Sequence, residues 1–187
     1  RDGTPEPLDL EKMHKVVMFA CDDIAGVSAS EVELKSHIQF YDGIRSEEVQ
    51  ETLIKAAADL ISEETPNYQW VAGNLVNYHL RKMVYNDFDP WHIKKIIEVN
   101  TENGFYDPAL LEDYSDEEWD EINSFIKHER DFNIAYVGME QFRGKYLVQN
   151  RVTGKHFETP QVAYILIAAS LFGNYPKETR LKYVKDY

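Results

Sequence analysis

RDGTPEPLDLEKMHKVVMFACDDIAG, residues Arg1 to Gly26, sets the reading of the whole chain. An Asp2-Gly3 turn leads into a short extended stretch, Thr4 to Leu8, where Pro5 and Pro7 exclude a helix. Asp9 then stands at the N-cap of an amphipathic helix, with Leu10, Met13, Val17, Ala20, Cys21 and Ile24 recurring at helical spacing. A turn followed by an extended stretch, with no strand before it, reads as half of a β-hairpin laid beside a helix. Its first strand is expected upstream of Arg1.

Working outward, the pattern stays helical. Ser28-x-x-Glu31 predicts a capping box for a second helix carrying Val32, Leu34 and Ile38, stopped by Asp42-Gly43. Ser46 is expected to cap a third helix with Val49, Leu53, Ala56, Ala57 and Leu60 on one side, and Glu47 and Glu48 in its first turn suit the helix dipole. Thr65-Pro66 opens a fourth, running to about Val84. Punctuation at Asn86-Asp87-Phe88-Asp89-Pro90 predicts a boundary, giving domains 1–86 and 87–187.

In the second half, Asp89-Pro90 starts a helix ending at Asn103-Gly104, Asp107-Pro108 starts a short helical turn, and Ser115-x-x-Glu118 boxes another helix. A helix is expected over Asn133 to Phe142. KYLVQNRVTGKHFE reads as a β-hairpin turning at Thr153-Gly154, and Thr159-Pro160 and Tyr175-Pro176 open the last two helices. The final helix has no stop signal, so Leu181 and Val184 are expected to lack a covering surface and this domain to be marginal by itself. The fold class is mainly α: a hairpin remnant over a four-helix bundle, then part of a helical domain with one β-hairpin.

With 43% hydrophobic and 28% charged residues in 187, the chain has the balance of a folded protein with enough apolar material for real cores. A net charge of −13 argues against nucleic acid as the main partner. The single cysteine, Cys21, has no internal disulfide partner and reads as core. The longest apolar run, Val162 to Phe172, is too short to span a membrane, and no signal peptide is recognisable, so the expected location is the cytoplasm with no membrane partner.

Catalytic signatures are absent: no GxGxxG, Walker loop, HExxH or CxxC occurs, and the six histidines lack metal-ligand spacing, so neither a catalytic site nor a metal site is expected. The acidic run SDEEWDE, Ser115 to Glu121, reads as a solvated helix face. One pattern differs. The first domain collects Arg1 at a turn, Glu6, Asp9 and Lys12 at a helix start, a helix N-terminus at Ser46, and HLRK with His79, Arg81 and Lys82 late in its fourth helix. Helix N-termini and Arg or Lys side chains recognise phosphate, and a carboxylate can accept from an adenine amino group. The same residue types also fit an ordinary chain terminus and a solvated helix end.

SHIQFYDGI (Ser36–Ile44), IKAAADLIS (Ile54–Ser62), LLEDYS (Leu110–Ser115), HERD (His128–Asp131), KYLVQNRVTG (Lys145–Gly154) and NYPKETRL (Asn174–Leu181) run in order along nearly the whole chain. Together they resemble the N-terminal part of the large subunit of class I ribonucleotide reductase, of the bacterial and phage type that works with a separate radical-generating small subunit. The resemblance implies an ATP-cone, an overall-activity site in which ATP and often dATP act as allosteric effectors with magnesium, followed by the start of an all-α domain preceding a catalytic barrel. It implies no cofactor of its own for this chain.

By position, the resemblance assigns Arg1 to a phosphate-binding arginine of a Lys-Arg-Asp-Gly motif, whose lysine would precede the chain, and Glu6 and Asp9 to the surroundings of the base. Lys12 lies one turn on, and Leu8, Met13 and Tyr78 would line the apolar slot. Ser46 falls near the phosphates, and His79 and Lys82 on their other side. Gln50 stands where inhibited relatives carry a histidine, and Asp9 where asparagine is common, so dATP inhibition is expected to be weak. The family's reactive cysteines match nothing here, Cys21 included, so this chain alone is expected not to reduce a ribonucleotide. The implied partners are the rest of the large subunit and the small subunit. A second reading is a degenerate cone that serves only in packing and assembly. A free-standing cone-type repressor would need a zinc ribbon, and the chain has no cysteine pairs to build one.

Overall fold

In a computed structural model, residues 7–187 can be described, and they form two compact units. One runs up to His79 and takes in Phe132–Glu140; the other comprises Leu80–Asp131 and Gln141–Tyr187. Arg1 and Glu6, with the expected hairpin turn, lie outside the described residues.

The first unit is built on α1 (Leu10–Cys21), α2 (Ala29–His37), α3 (Ser46–Ala58) and the greater part of α4 (Tyr68–Tyr85). Asp9 caps α1 as expected, its carboxylate accepting from the Lys12 N–H at 2.9 Å. Val17 and Ala20 of α1, Val32 of α2, Leu53 and Ala57 of α3, and Val71 and Leu75 of α4 are fully or almost fully buried. Burying such side chains, at about 1.5–3 kcal/mol for each large one, holds the short helices together.

Two caps differ from expectation. At α2, the Ser28 side chain makes no cap bond; the Ser28 N–H donates instead to the Tyr68 hydroxyl (2.9 Å), which in turn donates to Glu31. At α3 the N-cap is Arg45 and Ser46 is already helical; the Arg45 N–H donates to Glu48 at 3.0 Å, and the Tyr41 hydroxyl to the same carboxylate at 2.9 Å. In both places a tyrosine hydroxyl engages the first-turn carboxylate: Tyr68 at Glu31 in place of the local box, Tyr41 at Glu48 alongside the Arg45 N–H. Helix α2 also ends at His37, before the Asp42-Gly43 turn, where Gly43 has φ of 84°.

The second unit contains α5 (Ile93–Glu102), α6 (Ala109–Asp113), α7 (Asp116–Phe125), α9 (Pro160–Phe172) and α10 (Lys177–Asp186); α8 (Tyr136–Gln141) lies between α7 and α9 in the chain. Ile93, Ile96 and Ile97 of α5 meet Trp119 and Ile122 of α7 and Val162 and Leu166 of α9 in one core. The Ser115–Glu118 box forms as expected, with Ser115 N–H to Glu118 at 2.8 Å and Glu118 N–H to Ser115 Oγ at 3.3 Å.

Three expectations are corrected here. Helix α10 is covered: Val184 is buried, Leu181 packs on the same core, and Arg180 is buried against Glu118, so the last helix belongs to the unit. Glu118 accordingly leaves the otherwise solvated acidic face. The helix expected over Asn133 to Phe142 is a 3-10 turn, His128–Asn133, then α8, then a π-turn over Phe142–Tyr146. That π-turn consumes the start of the expected hairpin, which keeps one antiparallel bridge, Gln149 to His156, flanked by Phe157 N–H to Val148 O at 3.1 Å and Asn150 N–H to Lys155 O at 2.8 Å. Its turn lies where expected, with Gly154 at φ 72°. No helix among the described residues is long and apolar enough to cross a membrane.

Candidate nucleotide-binding site

The site residues expected from the sequence occupy three places among the described residues. At the start of α1, Leu8 is exposed, Asp9 spends one carboxylate oxygen on capping, Lys12 is exposed, and Met13 is buried in the core. At the start of α3, exposed Ser46 and half-buried Gln50 stand four residues apart, on one helix face. On α4, half-buried Tyr78 lies with its ring 6.1 Å from that of Phe19, and His79 is buried. Lys82 falls in the second unit, its ammonium 3.4 Å from Asp87.

The structure joins two of these places directly. His79 Nε2 lies 3.5 Å from Glu51 Oε1, beside Gln50 on α3. Glu51 was not singled out by sequence reasoning; a contact between residues 28 apart has no local signature. Met13 is almost fully buried.

The electrostatics at α3 bear on anion binding. Its first-turn amides are the natural cradle for a phosphate. Glu47 and Glu48 stand there, and the Arg45 N–H and the Tyr41 hydroxyl hold Glu48 below the usual carboxylate range. A phosphate approaching this helix end meets a persistent negative charge.

Cys21, at the end of α1, is half-buried, and burial, aided by Glu33, pushes its thiol up to about 11. At pH 8 only about one molecule in a thousand then carries thiolate. Alkylation of the folded chain by iodoacetamide at pH 8 is expected to run ~100-fold slower than that of an unhindered thiol. Mass spectrometry over time reads this, and labelling at the free-thiol rate would contradict the burial. Among the described residues no three His, Cys, Asp or Glu side chains are grouped as a metal site.

In the second unit the HERD segment turns its last residue inward, while Glu129 and Arg130 stay exposed. Asp131 is fully buried, accepts from the Gln161 N–H at 3.1 Å, and is pushed up to about 7 by burial, against the pull of Arg81. Arg81 donates to the His128 carbonyl at 2.5 Å, and burial, with Arg81 nearby, lowers His128 to about 4.

Residues 1–83 match the ATP cone domain family. The whole chain is 52% identical to the ribonucleoside-diphosphate reductase subunit alpha of Haemophilus influenzae and 51% identical to that of the reductase 1 subunit alpha of Escherichia coli, covering 25% of each. It is 40% identical, over 97% of its length, to the subunit alpha of Enterobacteria phage T4, of which it covers 24%. The chain thus spans about a quarter of the length of the relatives it matches. Residues 1–83 thus match an ATP cone domain, and the whole chain is similar to the N-terminal region of bacterial and phage ribonucleoside-diphosphate reductase alpha subunits.

Proposed function

We propose that this chain is the N-terminal regulatory portion of a ribonucleoside-diphosphate reductase large subunit, a cytoplasmic enzyme that makes deoxyribonucleotides for DNA synthesis. The cone binds ATP as allosteric effector, with magnesium carried on the triphosphate. The match of residues 1–83 to the ATP cone family carries this reading. The functional division falls at 86/87, with 87–187 the start of the all-α domain.

In this reading Arg1, Ser46, His79 and Lys82 serve the phosphates, Glu6, Asp9 and Lys12 the base and ribose side, and Leu8, Met13 and Tyr78 the apolar slot. Gln50 supplies an amide where a cation would favour dATP. The rest of the large subunit and the small subunit are the partners. Binding acts by linkage: an effector shifts the assembly only by its difference in affinity for two arrangements, typically about 1–3 kcal/mol.

Calorimetric titration of the chain with ATP, dATP and GTP in magnesium buffer tests this. Saturable binding of the adenine nucleotides, absent for GTP and weakened about tenfold or more by His79→Ala, is expected. Gln50→His is expected to raise dATP affinity relative to ATP. A specific observation favours a second reading, a cone retained for assembly alone: the negative charge of Glu47 and Glu48 at the α3 N-terminus. Absence of heat with every nucleotide would favour it over effector binding.

A further inference from the structure

We propose that a cleft in the second unit is a binding site for a small planar aromatic anion, made of none of the candidate nucleotide residues. The cleft has a volume of about 440 Å³, within the range of small-molecule sites. The end of α4, α5 with the loop after it, and the 149–157 hairpin turn enclose it.

Its chemistry is of two kinds. Trp91, Phe105 and Phe157 supply aromatic surface, and Phe105 stacks on Phe157 with ring centroids 3.8 Å apart and 20° between planes. Phe105 remains 39% exposed despite that stacking, an apolar surface still to be covered. Against this stand amides. Asn150 has its oxygen fixed by the Val152 and Thr153 N–H groups, at 2.9 and 3.1 Å, which leaves its NH2 donors for a ligand. Asn86, held at φ 56°, also lines the cleft.

The sign of the charge selects an anion. No Asp or Glu lines the cleft. At the acidic frequency of this chain, about two of its twelve lining residues would be acidic. Lys155 lines it and makes no ion pair among the described residues; its Nζ lies 5.8 Å from the Phe157 ring centroid. Lys95 sits over the Trp91 ring at 4.1 Å, adding a second cation beside the aromatic surface. On α5, Glu98 is paired with Lys94 at 3.5 Å, and Glu102 is exposed. Between Phe142 and Phe157 the chain carries Arg143, Lys145, Arg151 and Lys155 and no acid, inside a protein of net charge −13. Aromatic walls with one uncompensated cation and amide donors suit an aromatic carboxylate, sulfonate or phosphate.

The test titrates the full chain with 2-naphthoate, followed by amide NMR shifts, with 2-naphthylmethylammonium as a cation of the same shape. Naphthoate is expected to saturate with Kd on the order of 1 mM, shifting Trp91, Phe105 and Lys155. Lys155→Gln should weaken it about tenfold without weakening the ammonium probe, and Val99→Trp should abolish binding by filling the cleft. Equal affinity for both probes, shifts confined to α1 and α3, insensitivity to Lys155→Gln, or no saturation would each overturn the proposal. None of these outcomes bears on ATP binding by the cone, so the two readings stand or fall separately.

Discussion

Replacing Arg180 with methionine is expected to destabilise the second unit by about 3–5 kcal/mol. Arg180 is 4% exposed and serves three groups at once. Its Nε donates to Glu118 at 2.7 Å and Nη2 to the other oxygen of the same carboxylate; Nη1 donates to the Gly173 carbonyl at 3.1 Å; and the guanidinium lies 4.4 Å from the Tyr114 ring centroid. Methionine keeps most of the volume but leaves the Glu118 carboxylate without its cation in a nearly closed site, held only by the Ser115 N–H. The cost is therefore dominated by the stranded carboxylate. Adding Glu118→Leu should recover a good part of the loss, since an apolar pair needs no compensation, although the α7 cap goes with it. Urea denaturation read by circular dichroism measures both; a single-variant loss under 1 kcal/mol would contradict the geometry.

The same pair fixes a pH dependence. Arg180 holds Glu118 below the usual carboxylate range, so its stabilisation is present above the unfolded pKa and is lost as pH falls through the lower folded value. Asp131 runs the other way. Its folded pKa is raised to about 7, so its contribution is full below the unfolded value and is lost as pH rises through about 7. Between the ordinary carboxylate range and about pH 7 Asp131 therefore contributes a falling limb to the stability of the second unit, and Asp131→Asn should remove that limb.

The second large effect is at Gly73, in the middle of α4. A Cβ built there would lie 2.4 Å from the Ile134 carbonyl oxygen and 3.1 Å from the Tyr136 nitrogen. Both are backbone atoms, so no side-chain rotation relieves the clash. Glycine inside a helix normally costs about 1 kcal/mol relative to alanine, and an exposed Gly→Ala change would stabilise. Here Gly73→Ala is expected to destabilise the first unit by about 2 kcal/mol and Gly73→Val by 3 kcal/mol or more. Faster proteolysis across 132–140 should accompany it. A neutral or stabilising alanine would show that this approach is loose.

Elements set by neighbouring residues were legible in the sequence: Asp9 at α1, the Ser115–Glu118 box, the Asn103-Gly104 stop, and Pro160 opening α9. Each is decided within a few residues of chain. What was not legible depends on side chains arriving from far away. Tyr68 redirects the Ser28–Glu31 pair, and Arg180 draws Glu118 out of the acidic face. The cover over Leu181 and Val184 comes from a core assembled across the whole second unit. The candidate nucleotide residues were named through resemblance, since their types alone are commonplace. The Glu51 partner of His79 needed α3 and α4 to be placed side by side.

The first unit is not a continuous stretch of chain: it is completed by Phe132–Glu140, after more than fifty residues that belong to the other unit. Phe132 supplies an edge-on ring to Phe19 at 5.3 Å, and the Ile134–Tyr136 backbone closes over Gly73. During synthesis, at about 5–20 residues per second, the last part of this unit leaves the ribosome roughly 3–12 seconds after His79 has been added. For that interval the apolar surface of α1 and the open side of Gly73 await their cover, and the emerging helices are a natural target for chaperones. A chain released after residue 86 would be held in that unfinished condition permanently.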